Sequence, residues 1–232
     1  RVDRRQRQMC IRDSNKSVTL SKNVNNQISE ISKTKNEIVL FHPVPKKFGK
    51  PIEKQIAKKN IGLKKKYNYL LFFGLIRKYK GLDILIESMS EIIKKRNDVK
   101  LLIVGENYES INKYKKLIKQ NNLENSISFI NYFISEMEIK YWFCASELVI
   151  QPYKKALQSG VTPLSFQFET PTVCTNISGL SEYIIDNKNG FLSNPNSIDL
   201  AKKILMALNS DLTLIKKGIR NKKEKLTWNN FV

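Results

Sequence analysis

"LLFFGLIRKYKGLDILIESM", residues 70–89, decides how the rest of the chain is read. It opens with four apolar residues and turns at Gly74. A short polar loop then carries the cations Arg77, Lys78 and Lys80 to a second glycine, Gly81. From Leu82 the period changes. Leu82, Leu85, Ile86 and Met89 recur at helical spacing, and Ile92 and Ile93 continue the same face. A short apolar run, a glycine turn and an amphipathic helix make a strand–loop–helix unit. Such units repeat in parallel sheets buried on both faces.

The pattern recurs downstream. Apolar runs appear at 69–73, 99–104, 126–130, 147–151, 171–175 and 190–192, with helical patterns at 82–93, 135–144 and 198–208. Ser135 and Glu138 have the spacing of a capping box at the start of the second helix. This alternation predicts a doubly wound, Rossmann-like α/β domain over residues 67–210, with six parallel strands and flanking helices. No internal repeat is visible. Upstream, "EIVLFHPVPKKFGKP" is a short strand running into a Pro/Gly-rich connector. Residues 38–66 are a linker and basic segment, with nine lysines and one acid, Glu53, from position 46 onward.

Composition narrows the possibilities. At 232 residues and 41% hydrophobic, the chain has material for one good core. No apolar run approaches the ~18–20 residues that cross a bilayer. Cys10, Cys144 and Cys174 are scattered, which predicts reduced thiols and a cytoplasmic setting. His42 is the only histidine, so no metal site is expected. The formal charge of +20 calls for an anionic partner such as nucleic acid, a membrane surface or a phosphate-bearing ligand, or simply for solvated lysine faces. A basic nucleic-acid-binding module stays open as an alternative, although no helix-turn-helix or RNP signature is present. Five of the eight arginines (Arg1, Arg4, Arg5, Arg7 and Arg12) crowd into residues 1–12, whereas lysine dominates elsewhere. Residues 1–13 are therefore set aside as a non-native scar.

Ligands of open α/β sheets bind beyond the carboxyl ends of the strands, which selects three loops. The first, "FFGLIRKYKGLD" (72–83), is neither GxGxxG nor a P-loop. Gly74 followed by Arg77, Lys78 and Lys80 before a helix start suits a diphosphate, and on spacing alone it suits a solvated turn equally well. The second, "VGENYE" (104–109), offers Gly105 for a tight exit and Glu106 as an acceptor for a hydroxyl. The third is "ALQSGVTP" (156–163). Pro163 belongs in the first turn of a helix, which places the start near Ser159 or Gly160, with Ser159 as a competent N-cap. A capped helix without a ligand explains this turn as readily as one receiving an anion.

Together these loops, with "LVIQPYKKALQSGVTPLSFQFETPTVCTNISGLSEYIIDNKNGFL", resemble the C-terminal, donor-binding half of a GT-B glycosyltransferase of family 4 over residues 38–208. The resemblance implies an enzyme that moves a sugar from a UDP-, GDP- or similar nucleotide-sugar to an acceptor in glycan, cell-envelope polysaccharide or glycolipid synthesis. It implies a bacterial setting and no separate cofactor. Gly74, Arg77, Lys80, Glu106, Gln158, Ser159, Gly160 and Val161 would bind the donor. The acceptor, a glycan or lipid-linked molecule, would be held by a domain N-terminal to residue 14 that also carries the catalytic groups, so none is named here. Residues 14–37 would be that domain's last strand–helix unit, and 211–232 the helix that crosses back onto it. The chain reads as a fragment, inactive alone, with peripheral contact at the inner membrane face. Two slots depart from the common family pattern. Leu75 stands where an arginine often follows the first glycine, and Ala156 and Leu164 stand where two glutamates often lie. Those losses suggest a further alternative, a non-catalytic sugar-nucleotide binder, and leave the phosphate site in place. His42, in the linker, is expected to be a structural hydrogen-bonder.

Overall fold

The computed structural model describes residues 16–30, 37–107 and 110–231; the segment set aside at 1–13 lies outside them. At the N-terminal end, β1 (Ser17–Thr19), α1 (Lys22–Ser29) and β2 (Glu37–Val39) form a small unit whose two strands pair in parallel. A 3-10 turn at Lys46–Phe48 and α2 (Lys54–Asn60) lead into the main body. There the elements run β3 (Asn68–Phe73), α3 (Leu82–Lys95), β4 (Val99–Val104), α4 (Asn112–Gln120), β5 (Ile127–Ile130), α5 (Glu136–Ala145), β6 (Leu148–Gln151), α6 (Val161–Gln167), β7 (Thr172–Thr175), α7 (Ser178–Ser181), β8 (Phe191–Ser193), α8 (Ser197–Asn209) and α9 (Leu212–Lys225).

The six strands β3 to β8 form one all-parallel sheet in the order β5-β4-β3-β6-β7-β8. The chain starts in the middle, builds outward through β4 and β5, then returns to lay β6 against the other edge of β3. That reversal is the topological switch of a doubly wound sheet, and it opens a crevice between the loops leaving β3 and β6.

The near-continuous apolar runs follow from burial on both faces. Leu70 and Phe72 point to one side, where they join Leu85, Ile86 and Met89 of α3 and Leu200 and Ile204 of α8. Tyr69 and Leu71 point to the other, against Trp142 and Phe143 of α5 and Ala57 of α2. Alternate residues of one strand thus serve two cores, each full burial worth roughly 1.5–3 kcal/mol. The lysine-rich segment is not wholly solvated. Lys58 is buried and donates to the carbonyls of Tyr67 (2.9 Å) and Lys65 (3.4 Å), tying α2 to the start of β3. Burial lowers its pKa, with Glu147 opposing that shift. Ser135 and Glu138 form the expected capping box on α5. Cys144 and Cys174 are buried free thiols. No helix among the described residues is long and apolar enough to cross a membrane.

Candidate functional site

Backbone contacts lock together the loops that leave the carboxyl ends of β3, β4 and β6. Gly81 takes the left-handed conformation (φ +66°) that ends the cation loop and starts α3, and a Cβ there would lie 1.9 Å from the Pro152 carbonyl oxygen. Only glycine permits that approach. The Lys154 amide donates to the Tyr79 carbonyl at 2.7 Å, and the Lys154 ammonium pairs with Asp83. The rings of Tyr79 and Tyr153 meet edge to face at 6.0 Å. On the other flank, a Cβ on Gly105 (φ +133°) would come within 2.5 Å of the Gly74 carbonyl, so the β3 and β4 exits also touch. The crevice walls are therefore held in place before any ligand arrives.

Lys80 is the cation at the centre. It is only 7% exposed, at the end of a 3-10 turn, and its Nζ lies 3.2 Å from where a Cβ on Gly74 would sit. Val161 Cγ2 borders the same spot at 4.0 Å. The ammonium lies over the Tyr153 ring, 5.7 Å from its centroid. Burial, reinforced by the nearby Arg77 guanidinium, pushes the Lys80 pKa down to about 8. No carboxylate pairs with Lys80 among the described residues, so its charge remains available to an anion entering at Gly74.

A buried polar network fixes the turn on the opposite wall. Gln151, at the end of β6, accepts from Ser159 Oγ (2.9 Å) and exchanges hydrogen bonds with Thr162 Oγ1 (3.1 and 3.2 Å). Ser159 Oγ accepts from the Val161 amide at 3.2 Å. The Tyr153 hydroxyl also bonds Ser159, and burial raises its pKa. Helix α6 begins at Val161 with Gly160 in the cap position, one residue later than a Ser159 cap requires. Ser159 nevertheless reaches the first helical amide, so its hydroxyl does a cap's work from one position upstream.

The sequence-selected residues thus occupy three neighbouring places. Gly74, Lys80 and Val161 converge, with Arg77 beside Lys80, and Ser159 and Gly160 carry the turn next to them. Glu106 lies on the β4 side, where it lines an apolar cavity of about 250 Å³ with Phe73, Gly74, Leu75, Phe133 and Ile139. Gln158 is exposed on the other side, in a mixed cleft of about 720 Å³ with Asn23, Gln27, Tyr79, Lys155 and Leu157. A further cavity of about 230 Å³ lies at the N-terminal edge of the sheet, lined by Cys144, Glu147 and Pro171. Its charges include the pairs Lys54–Glu147 and Arg220–Glu169. It is remote from the crevice. No group of three His, Cys, Asp or Glu among the described residues could hold a metal.

Sequence reading did not single out Gln151, Tyr153 or Thr162, which looked like strand and loop filler. The one available signal was a glutamine ending a strand otherwise apolar, "LVIQ". His42 makes structural hydrogen bonds, its amide to the Tyr183 hydroxyl at 2.8 Å and its Nδ1 to the Pro43 carbonyl at 3.2 Å, while its Nε2 faces the turn, 3.8 Å from the place of a Gly160 Cβ.

The chain is similar to known proteins in sequence and fold. A curated relative, an uncharacterized glycosyltransferase of Methanocaldococcus jannaschii, is 26% identical over 227 residues, covering 95% of this chain and 58% of its own length. The solved C-terminal domain of a glycosyl transferase group 1 protein from Francisella tularensis is 28% identical (TM-score 0.62), covering 75% of this chain and 92% of that one. Anabaena HepE, solved with UDP-glucose, has the same fold (TM-score 0.78, 18% identity), covering 92% of this chain and 59% of that one. The chain thus spans less than two thirds of the archaeal relative. The family described as glycosyl transferases group 1 matches residues 53–225, a span that contains the six-stranded sheet and every loop of the crevice. The chain belongs to the glycosyl transferases group 1.

Proposed function

We propose that this chain is the donor-binding, C-terminal domain of a GT-B, family 4 enzyme. The enzyme transfers a sugar from a nucleotide-diphosphate-sugar to a glycan or lipid-linked acceptor in polysaccharide or glycolipid synthesis. One observation carries the reading: the buried, carboxylate-free Lys80 faces the Gly74 gap, which Val161 at the start of α6 also borders, at the topological switch. A fixed ammonium in a partly dehydrated crevice binds a diphosphate more strongly than a solvated lysine can. The apolar cavity beside Gly74 takes the base, with Glu106 at its rim accepting from ribose hydroxyls. Arg77 adds charge next to Lys80, and the sugar extends toward Gln158. A lipid-linked acceptor would bring the enzyme to the inner face of the membrane, where a charge of +20 favours anionic headgroups.

Calorimetric titration of the chain with UDP and GDP tests this. Saturable binding of at least one is expected, with no comparable affinity for duplex DNA of arbitrary sequence. Binding to DNA that weakens steeply with salt, with no response to either nucleotide, would instead favour the nucleic-acid module.

A further inference from the structure

We propose that His42 contacts the outer phosphate of the bound nucleoside diphosphate; this rests on the donor-site reading above. His42 precedes the main sheet by some two dozen residues, yet it lies against the turn that leaves β6. Its backbone is held there, because the His42 amide donates to the Tyr183 hydroxyl at 2.8 Å. That hydroxyl in turn donates to the Leu20 carbonyl at 3.3 Å. The ring is oriented by Nδ1, which lies 3.2 Å from the Pro43 carbonyl. A carbonyl only accepts, so the Nδ1 proton occupies that contact. Nε2 has no hydrogen-bond partner among the described residues and is directed at Gly160. With Nδ1 as the donor, Nε2 carries a proton only in the doubly protonated ring, the form that a nearby anion favours, and Nε2–H then points at that anion.

The order of groups along the crevice says which phosphate it meets. Gly74 borders both the apolar cavity and Lys80, so Lys80 is the cation nearer the base. Gly160 and His42 follow, and the open cleft at Gln158 comes last. The inner phosphate therefore falls to Lys80 and the outer one to His42.

The test uses the full chain and whichever of UDP or GDP binds it more tightly, with the matching monophosphate as control. His42→Ala should weaken the diphosphate roughly tenfold, as for a lost hydrogen bond to a charged group, and leave the monophosphate within about twofold. His42→Gln, with an amide N–H of similar reach, should recover part of the loss. The parent gives an independent readout because it contains one histidine. Its single imidazole Cε1–H resonance should move on saturation with the diphosphate and much less with the monophosphate. Equal loss of both nucleotides, unchanged affinity in His42→Ala, or an unmoved resonance at saturation would each overturn the proposal. If neither diphosphate binds the parent, the donor-site reading itself falls and takes this proposal with it.

Discussion

Replacing Lys80 by methionine is expected to make the protein more stable and its nucleotide binding much weaker. The two effects share one cause. Lys80 is buried, and its pKa is lowered from 10.5 to about 8, mainly by desolvation and then by Arg77. A lowered lysine pKa means that folding penalises the charged form. The penalty is fully present below pH 8 and fades as pH rises from 8 toward 10.5, so stability increases with pH across that window. At neutral pH the cost is of the order of 3 kcal/mol, and an apolar side chain of similar length removes it. The same charge is what a diphosphate meets, so Lys80→Met or Lys80→Ala should cost roughly 1.5–3 kcal/mol of binding. A triple alanine change at the exposed Lys64, Lys65 and Lys66 should cost far less, since those charges are screened by solvent. Parent affinity should fall as pH rises above about 8, approaching tenfold per pH unit, and the Lys80 variants should lose that dependence. Thermal melts and titrations at pH 7 and pH 9 measure all of this. Equal losses from Lys80 and from the triple variant would mean that only bulk charge acts.

Gly160→Val should weaken nucleotide binding strongly while leaving the fold nearly intact. Gly160 has φ −71° and ψ −11°, a conformation open to any residue, and a Cβ there would meet only His42 Nε2, at 3.8 Å. The fold should lose no more than about 1 kcal/mol, the difference between glycine and valine at a helix cap. The ligand cannot adapt in the same way, because the branched side chain would project into the space between turn and phosphate. A loss of affinity of roughly 5- to 160-fold is expected, the effect of overpacking by about 1–3 kcal/mol. Neighbouring glycines make poorer probes. A Cβ on Gly81 or Gly105 would strike backbone, and Gly74 holds φ +93°, so changes there disturb fold and site together. Parent-like binding by Gly160→Val would show that no ligand approaches this turn.

Most of the sheet was legible because parallel strands buried on both faces leave continuous apolar runs that no polar alternation disguises. The runs at 69–73 and 99–104 match β3 and β4 within a residue. The helix read at 82–93 extends to Lys95, past the point where apolar spacing stops but before the chain must turn. Helix α4 carries little apolar signal because its nine residues bury only Tyr114 and Ile118, and four of the other seven are lysines. Lys58 escaped notice for a related reason, since no pattern marks a lysine that spends its charge on carbonyls. In the crevice, glycines and cations within one loop could be read from spacing. Gln151, Tyr153 and Thr162 could not, because their role comes from a network closed at the end of β6. His42 could not either, since it reaches Gly160 across more than a hundred residues of chain.

Hydrogen–deuterium exchange of the chain with and without saturating UDP or GDP tests the central claim most directly. A nucleoside diphosphate held between the two walls of the crevice should slow exchange at residues 74–81 and 158–163, with smaller protection at 104–107. Protection confined to the lysine-rich residues 46–66, or protection nowhere, would contradict a donor site at the switch between β3 and β6.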